Sequence, residues 1–596
     1  MKPVLTVPAN ITAYAPGTGG TVVNFTAEAI DNTDGPLTPI CTPPSGSLFP
    51  TGTTTVNCSV TNSLGQTTSS AFTVTVLVSE IWTNAAAGSW STATNWSLGR
   101  VPGSTDPVLL TTNGRSFTTV PQITVGATSV GTLMIDSPTT ANVLNYGGST
   151  PQVMSIYGLG SEPLIRITGN ASPGVSVNKL NFQLRVSGQL QIDSVKTFTL
   201  GNSYITENSA GLKLTKTGGG TLNFSGSASP KITFTGGLDM AAGVWDAGSH
   251  TTCLPTSGII NFTNPSGTSA VIQSTQLHSI EALVGGNSDS SIYAASLTLT
   301  GAQNTTFGGK ITGATNLNLT GSGSLTLTNA NTFTGITTVS GGTLIVSGTL
   351  TQPGTLTVQT GATLENQGTI SSTGSLAVNA GGVFRPKIAQ STPVALNVAG
   401  TVTLAGALDI SAAGLTPGTT FTILNKTSAG AVNGIFSGKP QGSTFTASGY
   451  LWSISYTGGD GNDVILRLAT RQENWRYANF GTTANSGAAA DTFDANGDGE
   501  TNFMEFATAQ NPNAATIVLP TIVKNGAILE FTYTRSLAAM ADGVTFTVEW
   551  SDTLATWSSA GVSEQILSDN GTVQAVKAIV AAGADRRFLR LRIFKP

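Results

Sequence analysis

One repeated phrase limits what this chain can fold into more than any other feature. Its clearest copy is Gly323-Ser-Leu-Thr-Leu-Thr-Asn-Ala-Asn-Thr-Phe-Thr-Gly-Ile-Thr-Thr-Val-Ser-Gly-Gly-Thr-Leu344: a strand alternating Leu with Thr, a polar corner, a second strand and a Gly-Gly turn. A looser copy runs Leu212-Lys-Leu-Thr-Lys-Thr-Gly-Gly-Gly-Thr-Leu-Asn-Phe-Ser225. A unit this short cannot bury its own apolar face, so copies must stack on one another, and the phrase predicts a β-solenoid. Between residues 98 and 469 the pairs Leu317/Leu319, Leu325/Leu327, Leu344/Val346, Leu356/Val358, Leu376/Val378, Leu396/Val398, Val402/Leu404 and Leu408/Ile410 recur, commonly in steps near 8, 12 or 20 residues. Such steps fit two or three strands per coil, with Leu and Val inward and Thr, Ser and Asn outward or at corners.

Composition supports β-structure and narrows the partners. Only 9% of the 596 residues are charged and 71 are Gly, yet apolar residues are plentiful enough for folded cores. Thr and Ser carry the solubility that Lys and Glu usually provide, which suits a pleated surface. Net charge is −4, with no basic run before Arg586, Arg587, Arg590 and Arg592, so nucleic acid is not an expected partner. That cluster reads as an alternating strand with solvated charges. No apolar stretch approaches the roughly 18 residues that cross a bilayer. Of three cysteines, Cys41 and Cys58 fall close together and Cys253 stands apart. A disulfide implies an oxidising, exported setting. The text begins directly on a strand at Met1-Lys-Pro-Val-Leu-Thr, so an export signal is expected to lie outside it.

Residues 1–79 form a first module of short alternating strands, Val4-Leu-Thr-Val, Val22-Val-Asn-Phe-Thr-Ala, Thr54-Thr-Val-Asn-Cys-Ser-Val and Ala71-Phe-Thr-Val-Thr-Val, as in a sandwich. The stretch Cys41-Thr-Pro-Pro-Ser-Gly-Ser-Leu-Phe-Pro-Thr-Gly-Thr-Thr-Thr-Val-Asn-Cys58 resembles the hyalin repeat (HYR) family. The resemblance implies an immunoglobulin-like extracellular module used in adhesion or as a spacer. A Cys41–Cys58 loop would stabilise it by about 3 kcal/mol through the unfolded state.

The second region, 80–469, opens with Trp82, Trp90 and Trp96. These rings suit either a sugar-stacking platform or a cap on the first solenoid coil, and their place at the boundary favours the cap. The copies at 323–344 and 212–240 resemble the autotransporter-associated β-strand repeat. That family implies a right-handed parallel β-helix on a bacterial surface. No transmembrane β-barrel is recognisable after the repeats, so self-transport is not the expected export route. Within this region Gly458-Gly-Asp-Gly-Asn-Asp-Val-Ile-Leu466 satisfies the calcium-binding nonapeptide. A single copy cannot share ions between successive turns, and its flanks read as a hairpin. His250 and Cys253 form a lone H-x-x-C, with His278 the remaining His, which is too few ligands for zinc.

After residue 470 the text changes again: 23 of the 56 charged residues lie here. In residues 470–514, Asp494-Ala-Asn-Gly-Asp-Gly-Glu-Thr-Asn-Phe-Met-Glu505 matches the twelve-residue EF-hand loop. Asp494, Asn496 and Asp498 would offer side-chain oxygens to calcium, Glu500 its backbone carbonyl, Asn502 direct or water-mediated contact, and Glu505 both carboxylate oxygens. Short helices are expected over Asn474–Gly481 and from Asn502 to about Gln510. No second loop is evident, so the site is structural rather than a sensor. The loop resembles dockerin-like calcium loops, and Trp475…Phe480-Gly481…Ser486-Gly487…Asp494 is similar to C-terminal segments of Verrucomicrobia-type surface proteins. Residues 515–596 read as an antiparallel β module built on Ile528–Tyr533, Val544–Trp550, Val573–Val580 and Phe588–Ile593.

The fold class expected is therefore mostly β, a right-handed parallel β-helix flanked by an immunoglobulin-like sandwich and a calcium-loop plus β-sandwich module. With no H-E-x-x-H, no G-x-S-x-G and two His in all, an enzyme is not expected. The leading expectation is a secreted structural or adhesive surface protein, self-associating head to tail into a filament or binding a cell-surface glycan. The alternative is a secreted β-helix that binds or degrades polysaccharide.

Overall fold

The computed structural model describes residues 2–112, 122–136, 142–160, 162–168, 175–226, 232–255, 257–390, 395–583 and 586–596. The protein is mostly β, 49% strand and 5% helix, and contains a parallel β-solenoid of about 12 turns. The chain packs as two compact units, Met1–Gly382 and Val383–Pro596, and the division falls inside the stretch read as solenoid.

In the first unit, residues up to Val78 close several small sheets over one core. The strand Thr67–Val78 pairs antiparallel with Gly52–Thr61 and parallel with Ile11–Ala15. Phe49, Val56, Cys58, Phe72 and Val74 fill the interior. Cys41 and Cys58 face each other across the Ile40–Thr42 and Gly52–Thr61 ladder and form a disulfide.

From Glu80 onward, parallel pairing is the rule. Leu325, Leu344 and Leu364 lie in register on successive coils, as do Leu356 and Leu376 on another sheet. Partners in these rows are 19 or 20 residues apart, and three strand positions recur per coil. Every member of the recurring apolar pairs is buried except Leu408. Each buried Leu contributes about 1.5–3 kcal/mol by leaving water. Outward and corner positions add amide ladders: Asn202 donates to Asn178, and Asn178 to Asn145.

The Gly-Gly turn has a steric cause. Gly342 has φ +58°, and a Cβ there would lie 1.9 Å from the Gly323 carbonyl oxygen on the preceding coil. Gly335, Gly354 and Gly374 form a corner column in which a Cβ on Gly354 or Gly374 would meet the carbonyl oxygen of the glycine one coil before, at 2.1 and 2.3 Å. Coils stack this closely only where the corner lacks a side chain.

A core row also takes in a charged residue. Lys216 sits in register between Leu190 and Met240 and is fully buried. Its ammonium donates to the carbonyls of Thr217, Gly218 and Ala242 at 2.9, 2.9 and 3.2 Å, which matches its three N–H donors to three acceptors. Burial pulls its pKa down to about 7.

The second unit begins with parallel strands, among them Leu396–Val398 paired with Thr420–Lys426. The expected run of parallel coils to residue 469 is not kept. Thr420–Lys426, Asp463–Leu468, Tyr450–Gly458 and Thr444–Ala447 form an antiparallel array instead. The nonapeptide is the hairpin turn inside it. Beside that turn the Lys426 ammonium donates to the Ser428 carbonyl and hydroxyl and to the Ala429 carbonyl at 2.8–2.9 Å.

Beyond lies the helix Arg471–Phe480, then Asn502–Thr508, and a β module with sheet order Thr521–Asn525, Ile528–Ser536, Val573–Ala581 and Ser563–Asp569. The ribbon Thr545–Ser551/Phe588–Phe594 supplies Phe546, Trp550, Leu589 and Leu591 to its core. Of the C-terminal arginines, Arg590 and Arg592 lie along an alternating strand and are exposed as expected, and Arg587, Arg590 and Arg592 also pair with carboxylates. Arg587 bonds Asp552 and lies 3.8 Å over Trp550, while Arg590 bonds Glu549 and lies 4.1 Å over Trp557.

Candidate functional site

The acidic loop and its surroundings gather the chemistry that the solenoid lacks. Thr470 caps the helix Arg471–Phe480 reciprocally: its hydroxyl accepts from the Glu473 N–H, and the Glu473 carboxylate accepts from the Thr470 N–H at 2.7 Å. Gly481, at φ 70°, ends it. The exit helix Asn502–Thr508 is capped by Thr501. Both helices predicted beside the loop exist, the first starting three residues earlier than expected.

Inside the loop, positive-φ glycines at 497 and 499 turn the backbone toward Asp494. The Asp494 carboxylate accepts from the N–H groups of Gly497 and Gly499 at 2.7 and 2.8 Å. Asn496 Oδ1 accepts from the Asp498 N–H, and Asp498 Oδ1 from the Glu500 N–H. Glu505 is fully buried, and one of its oxygens accepts from Asn496 Nδ2 at 2.8 Å. Asn502 is also fully buried; its Nδ2 donates to the carbonyls of Ala488 and Ala490 and so anchors the preceding turn.

Three buried oxygens of this loop have no hydrogen-bond partner: Asp498 Oδ2, Asn502 Oδ1 and Glu505 Oε2. Buried acceptors left unmatched cost about 1–3 kcal/mol each, more when charged, and a divalent cation is the partner that oxygen donors of this kind satisfy. Burial, then the neighbouring charge of Asp498, push the Glu505 carboxyl up to about 7, with Glu500 and Asp494 adding to the effect. Glu500 is raised as well, chiefly by burial. The donor set thus fits a hard cation, with two departures. Asn496 presents its nitrogen, not its oxygen, to Glu505. Among the described residues no three His, Cys, Asp or Glu side chains converge as a metal cluster.

Residues beyond the motif complete the setting, and the loop pattern gave no hint of them. Gln510 Nε2 donates to Glu500 at 2.6 Å while its Oε1 accepts from the Val518 N–H. Asn496 Nδ2 also reaches the Ala514 carbonyl at 2.9 Å. The segment after the exit helix is therefore held against the loop by its side chains.

A cavity of about 720 Å³ lies next to it, lined by Trp475 and Asn479 of the first helix, Phe506, Gln510 and Asn511 around the second, and the short helix Leu537–Ala541. Arg471 is its one charged lining residue, and Asp542 pairs with it at 3.3 Å. Trp475 packs against Phe480 and Phe506.

The remaining sequence candidates fall elsewhere. Trp82, Trp90 and Trp96 are 0–3% exposed and pack edge to face in the first coil, so none offers a face to a sugar and the stacking platform is corrected. Cys253 is buried, and burial raises its thiol far above the usual range, which leaves it protonated and shielded. His278 is buried in a row with Leu297 and bonds Ser274 at 2.7 Å. It is a core residue, not a zinc ligand. The Passenger-associated-transport-repeat family matches residues 214–244 and 317–346, two stretches that fall on solenoid strands. No curated protein and no solved structure matches the chain.

Proposed function

We propose that this chain is a non-enzymatic structural and adhesive protein of a bacterial surface, whose solenoid is a scaffold and whose C-terminal loop is locked by calcium. The observation that carries the reading is the match of two solenoid segments to a passenger-associated repeat. The placement of these matches on stacked parallel strands supports an extracellular, passenger-like role. The HYR-like first module and its disulfide fit the same compartment.

Calcium would be held by Asp494, Asn496, Asp498, Asn502 and Glu505 side chains and the Glu500 carbonyl, with Asn496 turning its oxygen inward. Bound there, it supplies positive charge to carboxylates that otherwise repel one another. Gln510 and Asn496 then hold the following segment to the loop.

Head-to-tail assembly has a physical basis in two open sheet edges. Val4–Thr6 and Thr521–Asn525 each end a sheet, and Val4, Ile522 and Val523 are more than half exposed. Unpaired edge N–H and C=O groups are templates for a strand of another copy, and contacts of that kind that do not close produce filaments. Electron microscopy of the full chain with calcium, then with chelator, tests the reading. Filaments that shorten on chelation are expected. Strictly dispersed monomers at high concentration in both conditions would remove the filament.

A further inference from the structure

We propose that the cavity beside the acidic loop is a binding site for a neutral saccharide, organised by calcium in that loop. The proposal rests on the calcium reading above and adds to it a ligand and a coupling.

The cavity's size, about 720 Å³, suits a sugar unit or two, within the range of roughly 300–1,000 Å³ usual for small-molecule sites. Its walls combine aromatic surface with amides. The Trp475 ring is only partly buried, and an indole face takes the C–H face of a pyranose. Asn479 Nδ2 donates to the Trp475 carbonyl, which fixes the side chain and leaves Oδ1 as an acceptor. Asn511 Oδ1 accepts from the Asn513 N–H, which leaves Nδ2 as a donor. An acceptor and a donor beside an aromatic ring match vicinal hydroxyls, each of which donates and accepts. Charge excludes the alternatives: Arg471 is neutralised by Asp542, so neither a carboxylate nor a phosphate meets an unpaired cation, and no lining anion attracts a cation.

The wall and the loop share residues. Phe506 follows Glu505 directly in the exit helix, and Gln510 bonds both Glu500 and the 518 backbone. Drawing Glu505 and the Glu500 carbonyl onto one cation therefore sets the position of Phe506, Gln510 and Asn511 together. Without the cation these carboxylates repel, and the wall they carry loses its fixed place.

The test is calorimetric titration of the full chain with calcium alone, then with glucose, galactose, mannose, N-acetylglucosamine, cellobiose and lactose, in calcium and in chelator. At least one sugar should bind in calcium, and chelation should weaken it by about tenfold or more. Asn511→Ala and Asn479→Ala should each weaken the sugar similarly, with calcium affinity and melting temperature unchanged. Glu505→Gln should weaken both ligands. Calcium binding with no response to any sugar overturns the saccharide site and leaves the calcium reading standing. Sugar binding that ignores chelator and Glu505→Gln overturns the coupling. Absence of calcium binding overturns the parent reading. An apolar dye bound in place of every sugar marks a nonspecific groove and also overturns the proposal.

Discussion

The solenoid and the acidic loop solve stability in opposite ways. In the solenoid each coil repeats the same arrangement: Leu on Leu in register, carbonyl on N–H, and a glycine where corners touch. Its unmatched buried polar atoms, such as Thr132 Oγ1, Thr217 Oγ1 and Gln352 Nε2, are scattered over separate coils, and the buried Lys216 is fully partnered. In the loop, twelve residues concentrate four carboxylates, and three buried oxygens end without partners. A repetitive shaft distributes its energy and has no single point of chemistry. A local cluster of unsatisfied groups depends on something added from outside.

The comparison breaks most severely at a corner. Gly342→Val would force a side chain into the Gly323 and Gly321 carbonyls and strain a positive φ; a loss of more than about 4 kcal/mol is expected in denaturant unfolding. An unchanged midpoint would show that the corners are looser than the stacking requires. The first module should respond separately. Removing its disulfide with Cys41→Ser/Cys58→Ser should cost about 3 kcal/mol there while leaving solenoid hydrogen exchange unaltered, since stacked coils feel chiefly their neighbours.

Calcium sharpens the contrast from the other side. At a concentration one hundred times its dissociation constant, calcium should add about 2.7 kcal/mol to the stability of the loop region. Asp498→Asn should remove most of that gain in a thermal scan, and a calcium-induced shift in the variant equal to that of the wild type would contradict it. A smaller effect lies in the core row of His278. Burial holds its pKa at about 4, below the unfolded value near 6.5, so the unfolded chain binds more protons between these limits. Its share of stability is complete above about pH 6.5 and is lost progressively as the medium is acidified toward pH 4. His278→Leu, matching Leu297 beside it, should flatten the acid side of the stability profile relative to wild type.

Much of this was legible in the residues, for stated reasons. Alternating Leu and Thr can face only one way in a sheet, so the Leu325 and Leu344 rows followed from period alone. The hairpin at 458–463 followed from glycines between two apolar runs. Other features depended on contacts distant in sequence. Lys216 lies at a core position by alternation, but the three carbonyls that accept its ammonium come from backbone placed only by the folded coils. Thr470-x-x-Glu473 is a capping box in the sequence, and it sets the helix start three residues before the expected one. The antiparallel array at 420–468 is set by which strand returns beside Thr420–Lys426, which local pattern does not encode. The cavity needs Leu537–Ala541 to fold back on the first helix, so Arg471, Trp475 and Asn479 gave only one wall of it.

Hydrogen exchange of the full chain with and without calcium tests the division between shaft and loop most directly. Slower exchange confined to residues 494–518, with 214–346 unchanged, is the expected result. No slowing in the loop, or slowing spread through the solenoid, would contradict it.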